Sequence, residues 1–203
     1  MKPEGEKTSR KPRADSIRNR ERLLDAATKI FASGAPQASL EAVARRAGVG
    51  IGTLYRHFPT REALFEAVYR HEVDHLFDLA QKRLKDEDPV EAMRKWLHAN
   101  VRLVATKKGM IEALQLGAYG SSDLKAYSFE RLTTAMGLLL DRATAAGGIR
   151  SDISPEDLMR ALVGIFYSQD VFREQARTLL LVDVFVDGLR NGNRGAAKRV
   201  QRR

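Results

Sequence analysis

Cysteine is absent from the 203 residues. Disulfides and thiolate chemistry are therefore excluded, and a reducing, intracellular setting fits. Long apolar runs are missing as well. The longest are short, such as Met136–Leu140, so no segment is expected to cross a membrane. The N-terminus is polar and charged, with no apolar h-region, so no signal peptide is expected and the chain is placed in the cytoplasm. Strand-period alternation is nowhere sustained, no turn dipeptide joins two β-rich runs, and no internal repeat is visible.

What remains is apolar enough to fold: 43 % of the residues are hydrophobic. The length suits one generous domain, or a small one plus a larger one. The net charge of +9 is unevenly spread. Residues 1–70 carry 14 Lys and Arg against 8 Asp and Glu, residues 71–189 carry 15 against 18, and the tail from Arg190 carries 6 against none. A basic N-terminal third over a mildly acidic middle suggests an anionic polymer or surface as partner. Two solvated basic tails would give the same totals.

Residues 1–15 contain two prolines, many charges and almost no apolar side chains, and read as a disordered basic arm. From Ser16 the apolar positions fall at helical spacing up to Ser33-Gly34. Ser39 can cap a second helix, whose stripe is Leu40, Val43, Ala44 and Ala47, and Gly48 stops it as a left-handed C-cap. A short third helix covers Gly50 to His57, and Thr60 caps a fourth that reaches Leu84. Asp88-Pro89-Val90-Glu91 reads as a capping box opening a helix to Thr106. Further helices are expected over 109–116, from Ser122 to Gly147-Gly148, from Ser154-Pro155, and from Arg173 to Leu189. The expectation is all-α: nine helices, with a helix-turn-helix domain over 16–59, a helical bundle for effector binding and dimerisation over 60–190, and a basic tail over 191–203.

The turn "AGVG" between the second and third helices carries the functional signal. A three- or four-residue turn with glycine between two short helices is a helix-turn-helix signature. Leu54 and Phe58, four apart, can pack inward. Ile51 and Tyr55 then lie on one outward flank, and Gly52 and Arg56 on the other. The second helix of such a motif enters the DNA major groove. Without side chains, Gly50 and Gly52 let the backbone approach a phosphate. Thr53, Tyr55 and His57 carry donors for phosphate oxygens, contacts that fix position rather than sequence. Arg61 sits in the first turn of the next helix, where the helix dipole favours acids, and an external phosphate would explain it. A compact helical subdomain with a solvated basic face would show the same individual residues.

The order of these features, in "SLEAVARRAGVGIGTLYRHFPTREALFEAVY", resembles the DNA-binding region of the tetracycline-repressor (TetR) family of bacterial regulators over roughly Ser16 to Tyr69. The rest resembles the family in helix count, length and caps. The resemblance implies a homodimer, an N-terminal three-helix DNA-binding unit, and a C-terminal helical domain that binds a small effector. It also assigns Ser39, Thr53, Tyr55, His57 and Arg61 to phosphates, and Ile51 and Gly52 to bases. Ile51 can touch a thymine methyl. Some relatives carry bulkier base-reading side chains where this chain has Gly50 and Gly52. Part of the specificity therefore falls to Arg45 on the second helix, or to the basic arm in a minor groove.

His71-Glu72-Val73-Asp74-His75 fits H-E-x-x-H, which on a helix sets two imidazoles on one face for zinc with the glutamate as base. It opens a zinc-hydrolase reading. Against it, the G-x-x-H extension is absent, Asp74 adds a charge, and only His57 and His98 remain as other histidines. A metal site using His71, His75 and His98 is a second reading. A solvated helix face takes precedence over both, so no catalytic residue, cofactor or metal is assigned.

The second half carries aromatics and polar groups on apolar faces: Trp96, Asn100, Met110, Leu114, Tyr119, Tyr127, Met136, Phe166, Tyr167 and Asp170. They are either ordinary core or the lining of a cavity between bundle helices. With the resemblance, the cavity is preferred, for an apolar or neutral ligand. Leu158, Leu162, Ile165, Leu179, Val182 and Phe185 offer more apolar surface than one helix pair covers, which suggests a four-helix bundle across a two-fold axis. The function expected is a ligand-responsive, dimeric repressor of a palindromic DNA operator. A constitutive DNA-binding protein with a filled core is the alternative within the same class.

Overall fold

The computed structural model describes residues 10–33, 38–114, 122–168 and 175–190, without the side chains of 10–14, 112, 167 and 168. These residues form eight helices: α1 (Arg10–Phe31), α2 (Leu40–Ala47), α3 (Ile51–His57), α4 (Arg61–Arg83), α5 (Pro89–Ala113), α6 (Ser122–Ala145), α7 (Pro155–Ser168) and α8 (Gln175–Gly188). No strand occurs among the described residues beyond one isolated bridge between Ile149 and Arg190. The fold is all-α, as expected.

Two boundaries differ from expectation. α1 begins at Arg10 rather than Ser16, so part of the stretch read as a disordered arm is helical. Pro12 does not prevent this, because a first-turn residue has no helical acceptor for the N–H that proline lacks. The helices expected over 88–106 and 109–116 are one element, α5, which makes eight helices rather than nine. Gly109 stands at the start expected for the second of them. It is buried inside α5, where packing outweighs the roughly 1 kcal/mol a glycine costs a helix.

Capping chemistry explains several helix ends. Ser39 Oγ accepts the Ala42 N–H (3.2 Å) at the start of α2. Gly48 ends α2 at φ 68°, with its own N–H on the Arg45 carbonyl (3.1 Å) and that of Val49 on Ala44 (3.0 Å). That pair of bonds is a Schellman closure, which requires the left-handed conformation. Thr60 Oγ1 accepts from Ala63 (3.0 Å), and Asp88 Oδ1 from Val90 (2.9 Å) and Glu91 (3.1 Å). These bonds to backbone N–H groups hold the Asp88 carboxyl below its usual value. Ser154 Oγ accepts from the Asp157 N–H (3.2 Å) and donates to its carboxylate (2.8 Å). Gly147, at φ 74°, terminates the turn after α6.

The described residues divide into two compact units. The first holds residues up to His71 with Thr106–Leu114, and the second holds Glu72–Ala105 with those from Ser122 onward. The division therefore falls inside α4, later than residue 59. In the first unit Leu23, Ala27, Phe31, Val43, Leu54, Leu64, Phe65 and Val68 are fully buried or nearly so. α1 packs on α2, and α2 on α3. In the second unit Met93, Trp96, Leu97, Met136, Leu139, Leu158 and Val182 form the core, with α6 against α7 and α7 against α8.

Three of the residues expected at a dimer surface, Leu158, Leu162 and Val182, lie in this core instead. The apolar side chains left in water are their neighbours Val163, Leu180 and Val184, at 42 %, 59 % and 61 % exposure. Which face of an apolar helix turns inward depends on its partner helix, and that is set by tertiary packing.

An ion-pair network ties α5 to α8. Arg94 bonds Glu91 (2.9 Å), Asp183 (3.0 Å) and Asp187 (2.5 Å), and His98 Nε2 meets Asp183 at 2.8 Å. Burial pushes the Asp183 carboxyl up, but the hydrogen bonds from Arg94 and His98 outweigh it and hold the group below its ordinary value. A depressed carboxylate stabilises the fold above its unfolded pKa, and that contribution is lost as pH falls through the folded value. Arg94→Leu is therefore expected to cost about 1–2 kcal/mol near neutrality, less than for a fully buried pair because water screens the carboxylates. Urea unfolding should show the gap between variant and wild type starting to narrow as pH falls below about 4, the ordinary carboxylate value, and closing only below the depressed folded value of Asp183.

Candidate nucleic-acid interface

α3 has seven residues, and its side chains sort by position. Leu54 and Phe58, at 1 % and 2 % exposure, anchor it to the first unit. The other three rows, Ile51 with Tyr55, Gly52 with Arg56, and Thr53 with His57, are exposed or half-exposed. Ile51 is 38 % and Tyr55 47 % exposed, large amounts for an aliphatic and an aromatic side chain in so short a helix. The inward and outward assignments expected from the sequence are those observed.

The glycines are informative because the fold does not demand them. Gly50 has φ −71° and ψ 150°, which any residue adopts. A β-carbon at Gly50 or Gly52 would meet nothing within 4 Å. Gly48 is different, since its positive φ makes glycine necessary.

Arg56 lies along the helix, its Nε donating to the Gly52 carbonyl (3.3 Å) and Nη2 to Thr53 Oγ1 (3.0 Å). Arg45, in the last turn of α2, is exposed. Ser39 is half-buried and accepts the Ala42 N–H as an N-cap, and the backbone N–H of Glu41 together with the Ser39 hydroxyl holds the Glu41 carboxyl below its usual value. Arg61 has a partner the sequence reading missed: Nη1 donates to the Leu114 carbonyl (3.2 Å) just past the end of α5. That internal acceptor accounts for an arginine in the first turn of α4 without an external phosphate. The two residues are 53 apart in sequence, so no local pattern could have shown it.

The H-E-x-x-H residues do not assemble a metal centre. His71 Nε2 lies 3.4 Å from Asp25, His75 is exposed, and Asp74 accepts from Tyr127 Oη (2.6 Å) and Arg131 (3.1 Å). His98 is engaged by Asp183. No group of three or more metal-ligating side chains occurs among the described residues.

Of the residues expected at an effector site, Trp96, Asn100, Met110, Leu114 and Phe166 are buried. Trp96 Nε1 donates to the Leu76 carbonyl (2.7 Å), and Asn100 Nδ2 to the Trp96 carbonyl (2.9 Å). Tyr127 is half-buried beside an open cavity of about 270 Å³ that it lines with Phe77, Glu130, Arg131 and Thr134. Tyr119, Asp170 and the Tyr167 side chain lie outside the described residues. One residue the sequence reading passed over is Thr133, whose buried Oγ1 has no hydrogen-bond partner.

The chain matches two family models. Residues 23–68 match the bacterial regulatory proteins of the tetR family, and residues 88–191 match the C-terminal domain of SbtR-like transcriptional regulators. A solved TetR transcriptional regulator from Streptomyces coelicolor is 42 % identical, with a TM-score of 0.73, over 84 % of this chain and 98 % of that one. The chain belongs to the TetR family. A TetR regulatory protein from Mycobacterium vanbaalenii is 34 % identical, with a TM-score of 0.66, over 88 % and 98 % of the two chains. Among curated relatives, an HTH-type transcriptional regulator of Staphylococcus aureus strain USA300 is 30 % identical over 108 residues, or 52 % of this chain and 58 % of that protein. The match thus spans little more than half of the curated relative.

As a TetR regulator the chain is a DNA-binding, helix-turn-helix transcription factor and not an enzyme. The zinc-hydrolase reading finds no support in its relatives or in the surroundings of His71 and His75. Among the described residues no helix is long and apolar enough to cross a membrane.

Proposed function

We propose that this TetR regulator is a homodimeric, ligand-released repressor that lays two copies of α3 in the major groove of a palindromic operator. The observation that carries the reading is the three outward rows of α3 around glycines the fold does not need. Ile51 and Gly52 face bases. Tyr55, Thr53, Arg56 and His57 take phosphates, with Ser39 and Arg45 from α2 beside them. Arg61 acts one step back, holding the end of α5 to the start of α4.

The exposed apolar side chains of α7 and α8 supply the dimer contact, and two-fold pairing sets half-sites about one helical turn (~34 Å) or a multiple apart. The effector is apolar or neutral and is held by residues of the second half, with the unpartnered hydroxyl of Thr133 as one polar contact. Effector binding acts through α4, which contributes to both units, by favouring the state that fits DNA poorly.

Tyr55→Phe is the direct test, because it removes only an exposed hydroxyl. Affinity for the duplex that wild-type protein selects from a random pool should fall about tenfold, with thermal stability unchanged. Equal affinity would remove Tyr55 from the interface.

A further inference from the structure

The start of α1 is not explained by the three-helix core. Among the described side chains of α1 the first buried one is Leu23, and residues 15–22 are exposed or, at Asn19, half-exposed. Ile17 stands 54 % exposed. Helical turns outside a core gain little from packing, and isolated helical turns are marginal in water. The segment from Arg10 to Arg22 also carries six basic residues against two acidic ones. It is nevertheless laid against the DNA-binding motif: the Arg20 guanidinium lies over the Phe58 ring at 5.4 Å, and Arg22 Nη2 reaches the space beside Gly48.

Between this part of α1 and the last turn of α3 lies an open groove of about 350 Å³, lined by Asp15, Ser16, Asn19, Thr53, Arg56 and His57. Every lining side chain is polar. The set offers two hydroxyls, an amide, a guanidinium and an imidazole, which are donor types that bind phosphate oxygens without reading sequence. Arg56 is already held in place by Gly52 and Thr53, and those bonds use only part of its donor fork. The single anion, Asp15, is paired with Arg18 at 2.7 Å, which offsets its charge.

We propose that this groove seats a DNA backbone phosphate, with Ser16 and Asn19 of α1 closing on it from the side opposite Thr53, Arg56 and His57. The first turns of α1 thereby extend the footprint of each half-site beyond α3. The assignment rests on the TetR reading of the chain as a DNA-binding protein.

The test uses the full chain and the duplex that the wild-type protein selects from a random-sequence pool. The Ser16→Ala/Asn19→Ala double variant should fold normally, since neither residue is buried and alanine favours the helix. Its affinity should fall roughly tenfold or more, with the salt slope unchanged because both lost groups are neutral. Phosphate-ethylation interference should disappear at one position per half-site, while other positions stay sensitive. Arg56→Gln should weaken binding and also flatten the salt slope by about one per half-site.

Lys29→Ala, on the last turn of α1, should leave the interference pattern as it is. A stably folded double variant with wild-type affinity and pattern overturns the proposal. So does specific protection of the wild type against unfolding by inorganic phosphate, relative to chloride at equal ionic strength, if DNA binding is unaltered in the variants. If wild-type protein selects no duplex, the DNA-binding reading fails as well. Wild-type binding with unaffected variants sinks the groove assignment alone.

Discussion

Replacing Leu180 and Val184 together with aspartate is expected to yield a monomer and to lower operator affinity by at least a hundredfold. The two side chains are four residues apart on α8 and are the most exposed large apolar groups described, at 59 % and 61 %. Val163 on α7 is 42 % exposed. Large apolar side chains exposed four residues apart on one helix mark an interaction site, and an apolar helix pair needs a second pair to cover it. Placing charges there would require burying them unpaired in the dimer, at several kcal/mol, while the isolated chain tolerates them in water.

DNA affinity follows because each chain presents one α3. Losing the second removes the intramolecular advantage of the linked half-site, which is commonly worth a factor of 10²–10⁴. Light scattering gives the mass, and fluorescence anisotropy the affinity. A dimer of wild-type affinity in the double variant would move the interface elsewhere. Leu158→Ala, by contrast, should destabilise the chain itself, because Leu158 is fully buried within it.

Gly52→Ala is expected to make the protein more stable and a worse DNA binder. Gly52 sits inside α3, and a β-carbon there would touch nothing within 4 Å, so the fold gains helix propensity with no clash. The gain is about 0.5–1 kcal/mol. The same methyl group would stand between α3 and the floor of the groove. Overpacking a close contact costs roughly 1–3 kcal/mol, or tenfold to more than a hundredfold in affinity. The opposite signs make the experiment decisive, because a variant that only damaged the fold would lose both. A rise in melting temperature with unchanged DNA affinity would show that Gly52 does not approach the duplex.

Local chemistry was legible in the sequence, and long-range packing was not. Ser39, Gly48, Thr60, Asp88 and Ser154 all sit where their capping roles place them, because a cap depends only on residues two to four positions away. Leu54 and Phe58 turned inward for the same kind of reason, the short period of a helix. The early start of α1 was hidden because none of the described side chains ahead of Leu23 is buried in the core. The continuity of α5 through Gly109 depends on burial. Arg61 and Leu114 meet across 53 residues, and Asp74 finds Tyr127 and Arg131 at similar distance. For α7 and α8 the composition announced surplus apolar surface, but only the packed structure shows that Val163, Leu180 and Val184 are the surplus.

A hydroxyl-radical footprint of wild-type protein on its selected duplex tests the central claim most directly. Two protected patches related by two-fold symmetry, about one helical turn or a multiple apart, are the result expected of paired α3 helices. A single asymmetric patch, or no protection at low ionic strength, would contradict it.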